Sequence, residues 1–167
     1  MSAPAIAAPR IDSDHYRAVM RHLPTGVAAI CATDSVTGAH AMIVGTFASL
    51  SMEPALVTFS VMHSSTSWPK IAQADRFSVS LLADGQQQVC RALSAKGEDK
   101  LSSVAWTESP WGTPHIDGSL AWFDCRLEQQ LTAGDHLIVI ARVLDMTSAE
   151  GAPLIFHGGR FGSFKEQ

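Results

Sequence analysis

The sequence predicts a mainly β fold: an antiparallel barrel, closed or nearly closed, with a few helices at its periphery. Strand-like segments outnumber helical ones by roughly two to one, and short turns join them. Strand and helix do not alternate along the chain, as a doubly wound sheet requires. With 167 residues, 46% of them hydrophobic and 17% charged, the chain can bury an ordinary core without staples.

Met1 to Pro9 is small and apolar with no basic lead, which reads as an arm (residues 1–12) and not as a signal peptide. One domain is expected over residues 13–164, since no repeat or composition break divides the chain. Ser13-Asp14 followed by Tyr16, Val19, Met20 and Leu23 gives a capped, one-faced helix ending before Pro24. Val27 to Thr33, Ala39 to Phe47 and Ala55 to Met62 are strand-like. In the last of these Val57, Phe59 and Val61 share one face, with Thr58 and Ser60 on the other. A helix follows from about Trp68 to Ala74, then a strand from Phe77 to Leu82 with Ser78 and Ser80 on its polar face. Gln86 to Lys96 is helical, with Val89 and Leu93 at helical spacing. The chain returns to strands at Leu120 to Leu131, Leu137 to Val143 and Leu154 to Phe156. Gly158-Gly159 reads as a turn after the last strand.

A net charge of −4 and no run of Lys or Arg argue against nucleic acid as a partner. No apolar run approaches the length of a membrane span, so a soluble, cytoplasmic protein is expected. Cys31, Cys90 and Cys125 lie far apart without a Cys-x-x-Cys pair, and read as small buried hydrophobes in a reducing compartment. His15 and His22 could share a helix face, but no third ligand is evident and no metal is expected. Dinucleotide, Walker, nucleophile-elbow and zinc-protease signatures are all missing.

Three segments can carry chemistry. His63-Ser64-Ser65-Thr66-Ser67-Trp68-Pro69 stands between a strand and a helix, where hydroxyls and free N–H groups can wrap a phosphate or simply cap the helix. Gly134-Asp135-His136 leads into a strand, and its histidine is a substrate contact or an ordinary turn residue. Ala41 to Ser51 passes into small and hydroxyl residues that let a planar ring approach the backbone; the alternative is an edge strand bulged at Gly45.

Read in order, these blocks resemble the flavin reductase family that supplies two-component monooxygenases. The likeness runs from Tyr16 to about Gly162. It rests on an Arg-bearing helix (Tyr16 to Met20), Pro24-Thr25-Gly26-Val27, the Ala41 to Ser51 block, Pro54 to Val57, and the Ser64 to Trp68 turn. Phe77 to Leu82, Asp99-Lys100, Ala133 to His136 and Pro153-Leu154 complete it. The joint order and spacing carry the resemblance, not any single motif.

The resemblance implies an FMN-binding split barrel of Greek-key type, a homodimer, with FMN or FAD in a groove and NAD(P)H as co-substrate. Ile43, Val44, Gly45, Thr46 and Ser49 would line the isoalloxazine. Ser60 and the turn Ser64, Ser65, Thr66 and Ser67, preceded by His63, would hold the ribityl chain and phosphate. Leu93, Ser94, Ala95 and Lys100 would close the phosphate end. His136, with Thr25 and Arg17, would face the nicotinamide. The implied activity is hydride transfer to flavin, with reduced flavin passed to a flavin-dependent monooxygenase. The rival readings are a barrel that retains its flavin for its own substrate, or a non-catalytic flavin module. The chain departs from the family pattern at Gly45-Thr46 (commonly Asn-Ser), at Ala41 (commonly Gly, allowing positive φ) and at His63 (often Arg).

Overall fold

The computed structural model describes residues 10–36 and 38–164, so most of the expected N-terminal arm, residues 1–9, lies outside the described residues. Helix α1 (Ser13–Met20) is capped by Asp12, one residue earlier than expected, whose carboxylate accepts from the His15 N–H at 3.1 Å. It buries none of its residues. Its end is held at Arg21, which exchanges backbone and side-chain hydrogen bonds with Gly158 (3.1 and 3.0 Å). Because the helix stops at Met20, His22 lies beyond it and shares no helix face with His15.

The strands are β1 (Thr25–Gly26), β2 (Ala28–Asp34), β3 (Gly38–Val44), β4 (Ala48–Met52), β5 (Ala55–Met62) and β6 (Phe77–Leu81). There follow β7 (Trp106–Glu108), β8 (Pro114–Ile116), β9 (Ala121–Ala133), β10 (His136–Ser148), β11 (Leu154–His157) and β12 (Arg160–Ser163). Helices α2 (Trp68–Ile71) and α3 (Gln87–Ser94) and a 3-10 turn (Lys100–Ser103) sit between them. The main sheet runs β3-β2-β6-β9-β10-β5-β4, with a ribbon β1-β11-β12 and a hairpin β7-β8 beside it. Pairing is antiparallel among the described residues, as expected.

Alternation along β2 divides the interior in two. Ala28, Ile30 and Ala32 point into the barrel against Phe59, Phe77, Val79 and Val139. Val27, Ala29 and Cys31 point outward, into a second core formed with Leu93, Leu101, Ile116 and Leu154. Burial on both faces explains why this strand reads as a continuous apolar run. Trp68 closes one end of the barrel, packed edge-on against Phe59 (5.3 Å) and Phe77 (5.9 Å).

Several expectations change. Ser78 and Ser80 are not on a polar face; both are fully buried, because β8 lies across that side of β6. The Ser78 hydroxyl donates to the carbonyl of Pro114, and Ser80 Oγ accepts from the Ile116 N–H at 3.1 Å. The strand expected from Ala39 to Phe47 ends at Val44, and the chain re-enters as β4 at the opposite edge of the sheet. Thr46, in the connection between them, ties the end of β3 to β5: its hydroxyl accepts from Ser60 N–H (2.8 Å) and donates to Ser60 C=O (3.3 Å). A side chain thus bridges a seam that no ladder spans. Ala41 has ordinary strand geometry, so the position needs no glycine. Gly158 and Gly159, with φ of 59° and 84°, turn the β11-β12 hairpin and so precede the last strand. Helix α2 is shorter than expected, since Pro69 opens it and the chain unwinds after Ile71.

Candidate functional site

The end of β3, the turn after β5 and the end of α3 face one another across an open groove. Its larger part is a cavity of about 790 Å³ walled by Ile43, the Ser64–Ser67 turn, Leu93 to Ala95 and Lys100. That volume is within the range of small-molecule sites. A smaller cavity of about 320 Å³ continues it along Gly45, Thr46 and Ser60 to His136.

The turn is positioned from below. Trp68, buried in the barrel and donating from Nε1 to Gln130 Oε1 at 2.7 Å, anchors the start of α2. Ser65 Oγ accepts from the Trp68 N–H at 3.1 Å, so one serine satisfies the first N–H of the helix, while the N-cap residue Ser67 makes no side-chain cap. The others remain available: among the described residues, no protein acceptor meets the N–H of Thr66 or Ser67. Lys100 reaches in from the 3-10 turn and donates to Ser67 Oγ at 3.2 Å. Among the described residues no carboxylate pairs with it, and burial lowers its pKa from the usual lysine value. A desolvated ammonium beside hydroxyls and free N–H groups is built to receive an anion. Lys70, nearby, is already neutralised by Glu98 at 2.8 Å.

At the other end, His136 Nδ1 lies 2.7 Å from Asp135 Oδ1, which fixes the ring and leaves Nε2 to a ligand. The hydrogen bond from His136, and then its charge, hold the Asp135 carboxyl below its ordinary pKa; His63 adds a smaller charge effect. The His63 N–H also donates to Asp135 C=O at 3.0 Å, tying the two loops together.

The structure therefore brings together Ile43, Val44, Gly45, Thr46, Ser60, Ser64 to Ser67, Leu93, Ser94, Ala95, Lys100 and His136. Thr25 joins through an adjoining apolar cavity of about 240 Å³, shared with Ile43, Gly45 and the ring pair Phe156 and Phe161. A Cβ added at Gly45 would come within 2.9 Å of Thr25 Oγ1, so these two positions are in direct contact. Three expected residues lie outside these walls. Arg17 is exposed on α1 and pairs with Asp14 at 3.3 Å; Ser49 is exposed on β4; His63 turns to Asp135 and supplies no wall. Thr46 and Ser60 do line the groove, but they hold each other across the seam.

Sequence reasoning missed Met42, Met62, Phe156 and Phe161. Met62 carried a signal: it stands in the outward parity of Thr58 and Ser60, where an apolar side chain has no core to enter. The cysteines are free and buried, as expected, and burial pushes the thiols of Cys31 and Cys125 up to about 12, which leaves them inert as nucleophiles. Among the described residues no helix is long and apolar enough to cross a membrane.

A groove with an anion site at one end and an apolar wall at its middle suits a planar ligand carrying a phosphate. Comparison with known proteins agrees. Residues 20–165 match the family model described as a flavin reductase like domain. The chain is 43% identical to a flavin reductase of Pseudomonas putida, over 92% of this chain and 91% of that protein. It is 37% identical to the flavin-dependent monooxygenase reductase subunit HsaB of Rhodococcus jostii, over 94% of this chain and 80% of the relative. The NADH:FAD oxidoreductase SgcE6 of Streptomyces globisporus, solved with NAD and FAD fragments, superposes with a TM-score of 0.86 at 28% identity, covering 95% of this chain and 98% of that one. The split barrel implied by the sequence is thus the observed fold, and the chain belongs to the flavin reductase like domain family.

Proposed function

We infer that this chain is an NAD(P)H-dependent flavin reductase that passes reduced flavin, FMN or FAD, to a separate monooxygenase. The observation that carries the reading is the groove with Lys100 and the Ser64–Ser67 turn at one end and the apolar end of β3 beside them. It is supported by the names of the relatives, one a flavin reductase and another the reductase subunit of a monooxygenase.

The residues present fit a flavin. Lys100, the hydroxyls of Thr66 and Ser67 and their N–H groups would hold its phosphate, which FMN and FAD share. Ile43 would supply an apolar surface for the ring, and Gly45, with no side chain, would let it approach the backbone. When both substrates are bound, the dihydronicotinamide supplies a hydride and the flavin accepts it. The protein's share is alignment and exclusion of water, so no acid, base or nucleophile is needed. His136, steadied by Asp135, orients the donor from the rim with Nε2, and Thr25 does so from beside Gly45.

The working form is a homodimer. Edge strand β4 exposes Leu50 and Met52, the latter at 96%, and an apolar edge of this kind is protected by pairing. Three free cysteines suit a reducing, cytoplasmic compartment. Residues 13–164 serve as one functional domain. The test is steady-state consumption of NADH or NADPH by catalytic amounts of protein with excess free FMN or FAD. Sustained turnover supports the reading; no flavin-dependent oxidation with either donor overturns it.

A further inference from the structure

Hairpin β11-β12 has two faces of opposite character. Phe156 and Phe161 are cross-strand partners, and they wall the apolar cavity shared with Thr25, Ile43 and Gly45. The next pair, His157 and Arg160, projects from the other face, where with Ile155 and Pro24 it walls a separate cavity of about 430 Å³. None of the residues walling that cavity is acidic. Among the described residues, neither His157 nor Arg160 has a carboxylate within ion-pair distance. A second guanidinium, that of Arg21, hydrogen-bonds Gly158 C=O in the turn itself. In a chain of net charge −4, two guanidinium groups at one turn, with the imidazole of His157 opposite Arg160 as a further hydrogen-bonding group, mark a place prepared for an anion.

We propose that His157 and Arg160 bind the pyrophosphate of the dihydronicotinamide dinucleotide, while its nicotinamide enters the cavity under Phe156 and Phe161. This rests on the reading of the groove as a flavin site. Flavin phosphate and donor phosphates are both anionic, and both ligands must bring their rings together near Ile43 and Gly45. The fold separates their charged tails: Lys100 serves one end, and the hairpin serves the other. Strand β12 is the free edge of its ribbon, so an extended ligand can pass over it from the aromatic to the charged face. Phe161, which walls both cavities, stands at the crossing.

The probe is ADP-ribose, which carries the pyrophosphate without the reactive ring. Calorimetry on the full-length protein should show ADP-ribose binding weakened by about tenfold in Arg160→Gln, and largely kept in Arg160→Lys. Riboflavin affinity, measured by fluorescence in the same samples, reports whether the variants are folded and should stay within about twofold. The ratio of kcat/KM for NADH to that for N-benzyl dihydronicotinamide, a donor without phosphate, should fall by about the same tenfold. Unchanged ADP-ribose binding in Arg160→Gln overturns the proposal, as does an equal loss with both donors. A wild-type protein that binds flavin but neither ADP-ribose nor NADH would sink the reductase reading itself, a different outcome from failure of the variant alone.

Discussion

Lys100 carries most of the electrostatic case for a phosphate in the groove, because it reaches the Ser67 hydroxyl in the turn and, among the described residues, no carboxylate pairs with it. Replacing it with Met should weaken FMN binding by about 1.5–3 kcal/mol, the worth of a hydrogen bond to a charged group. Riboflavin, which lacks the phosphate, should bind the variant and the wild type equally. Equal losses for both flavins would place Lys100 in the fold, not at the phosphate. His136→Ala should leave flavin affinity alone and lower kcat/KM for NADH by about the same 1.5–3 kcal/mol, checked by rapid-mixing reduction beside a fluorescence titration. The hydroxyl run and the His136 turn were legible in the sequence because residue type alone announces them. Arg17 lies outside the groove walls, since a motif fixes a position along the chain but not which way a helix packs; α1 buries none of its residues. Thr46 lines the groove, but its tie to Ser60 depends on the end of β3 coming up against β5, which no local pattern encodes.

At the scale of elements, the β7-β8 hairpin is pinned by a buried carboxylate. Asp124 accepts from the hydroxyls of Ser109 (2.7 Å) and Thr113 through Oδ1, and His115 Nε2 lies 3.2 Å away. Removing a buried acceptor strands its donors, so Asp124→Ala should cost about 3–5 kcal/mol, in the range for breaking a buried charged network. Amide exchange should rise first at 106–116, where the hairpin is held, while β5 and β10 keep their protection. Uniform loss of protection across the sheet would show that the hairpin is not a separate unit. This hairpin was invisible in the sequence, since its strands are only three residues each. The apparent polar face of β6 was misleading for the same reason: the strand that covers Ser78 and Ser80 could not be seen. The long strands were legible because alternation persists over enough residues to set one face against the other, as β5 shows.

For the molecule as a whole, the exposed apolar side chains of edge strand β4 predict a dimer by light scattering at micromolar concentration, and a monomer in Leu50→Lys/Met52→Lys. A wild-type monomer with flavin still bound would show that the working form is not a dimer. Stability should also turn down in alkali. Cys31 and Cys125 titrate at 9.0 when free but at about 12 when buried, so below pH 9 both states keep their thiol protons and stability is unaffected. As pH rises from 9 toward 12, the unfolded chain releases protons that the folded one retains, and stability falls. Urea midpoints across that range should show the decline, and Cys31→Ala/Cys125→Ala should start lower but fall less steeply. If flavin visits this barrel as a substrate and leaves reduced, the protein should release many reduced flavins per chain. An anaerobic mixture of catalytic protein, excess NADH and excess FMN can be passed through a membrane that retains the protein. Reduced flavin should appear in the filtrate far in excess of the protein present. Reduction that stops at one flavin per chain, with that flavin retained above the membrane, would mean that the flavin is a bound prosthetic group and not a substrate.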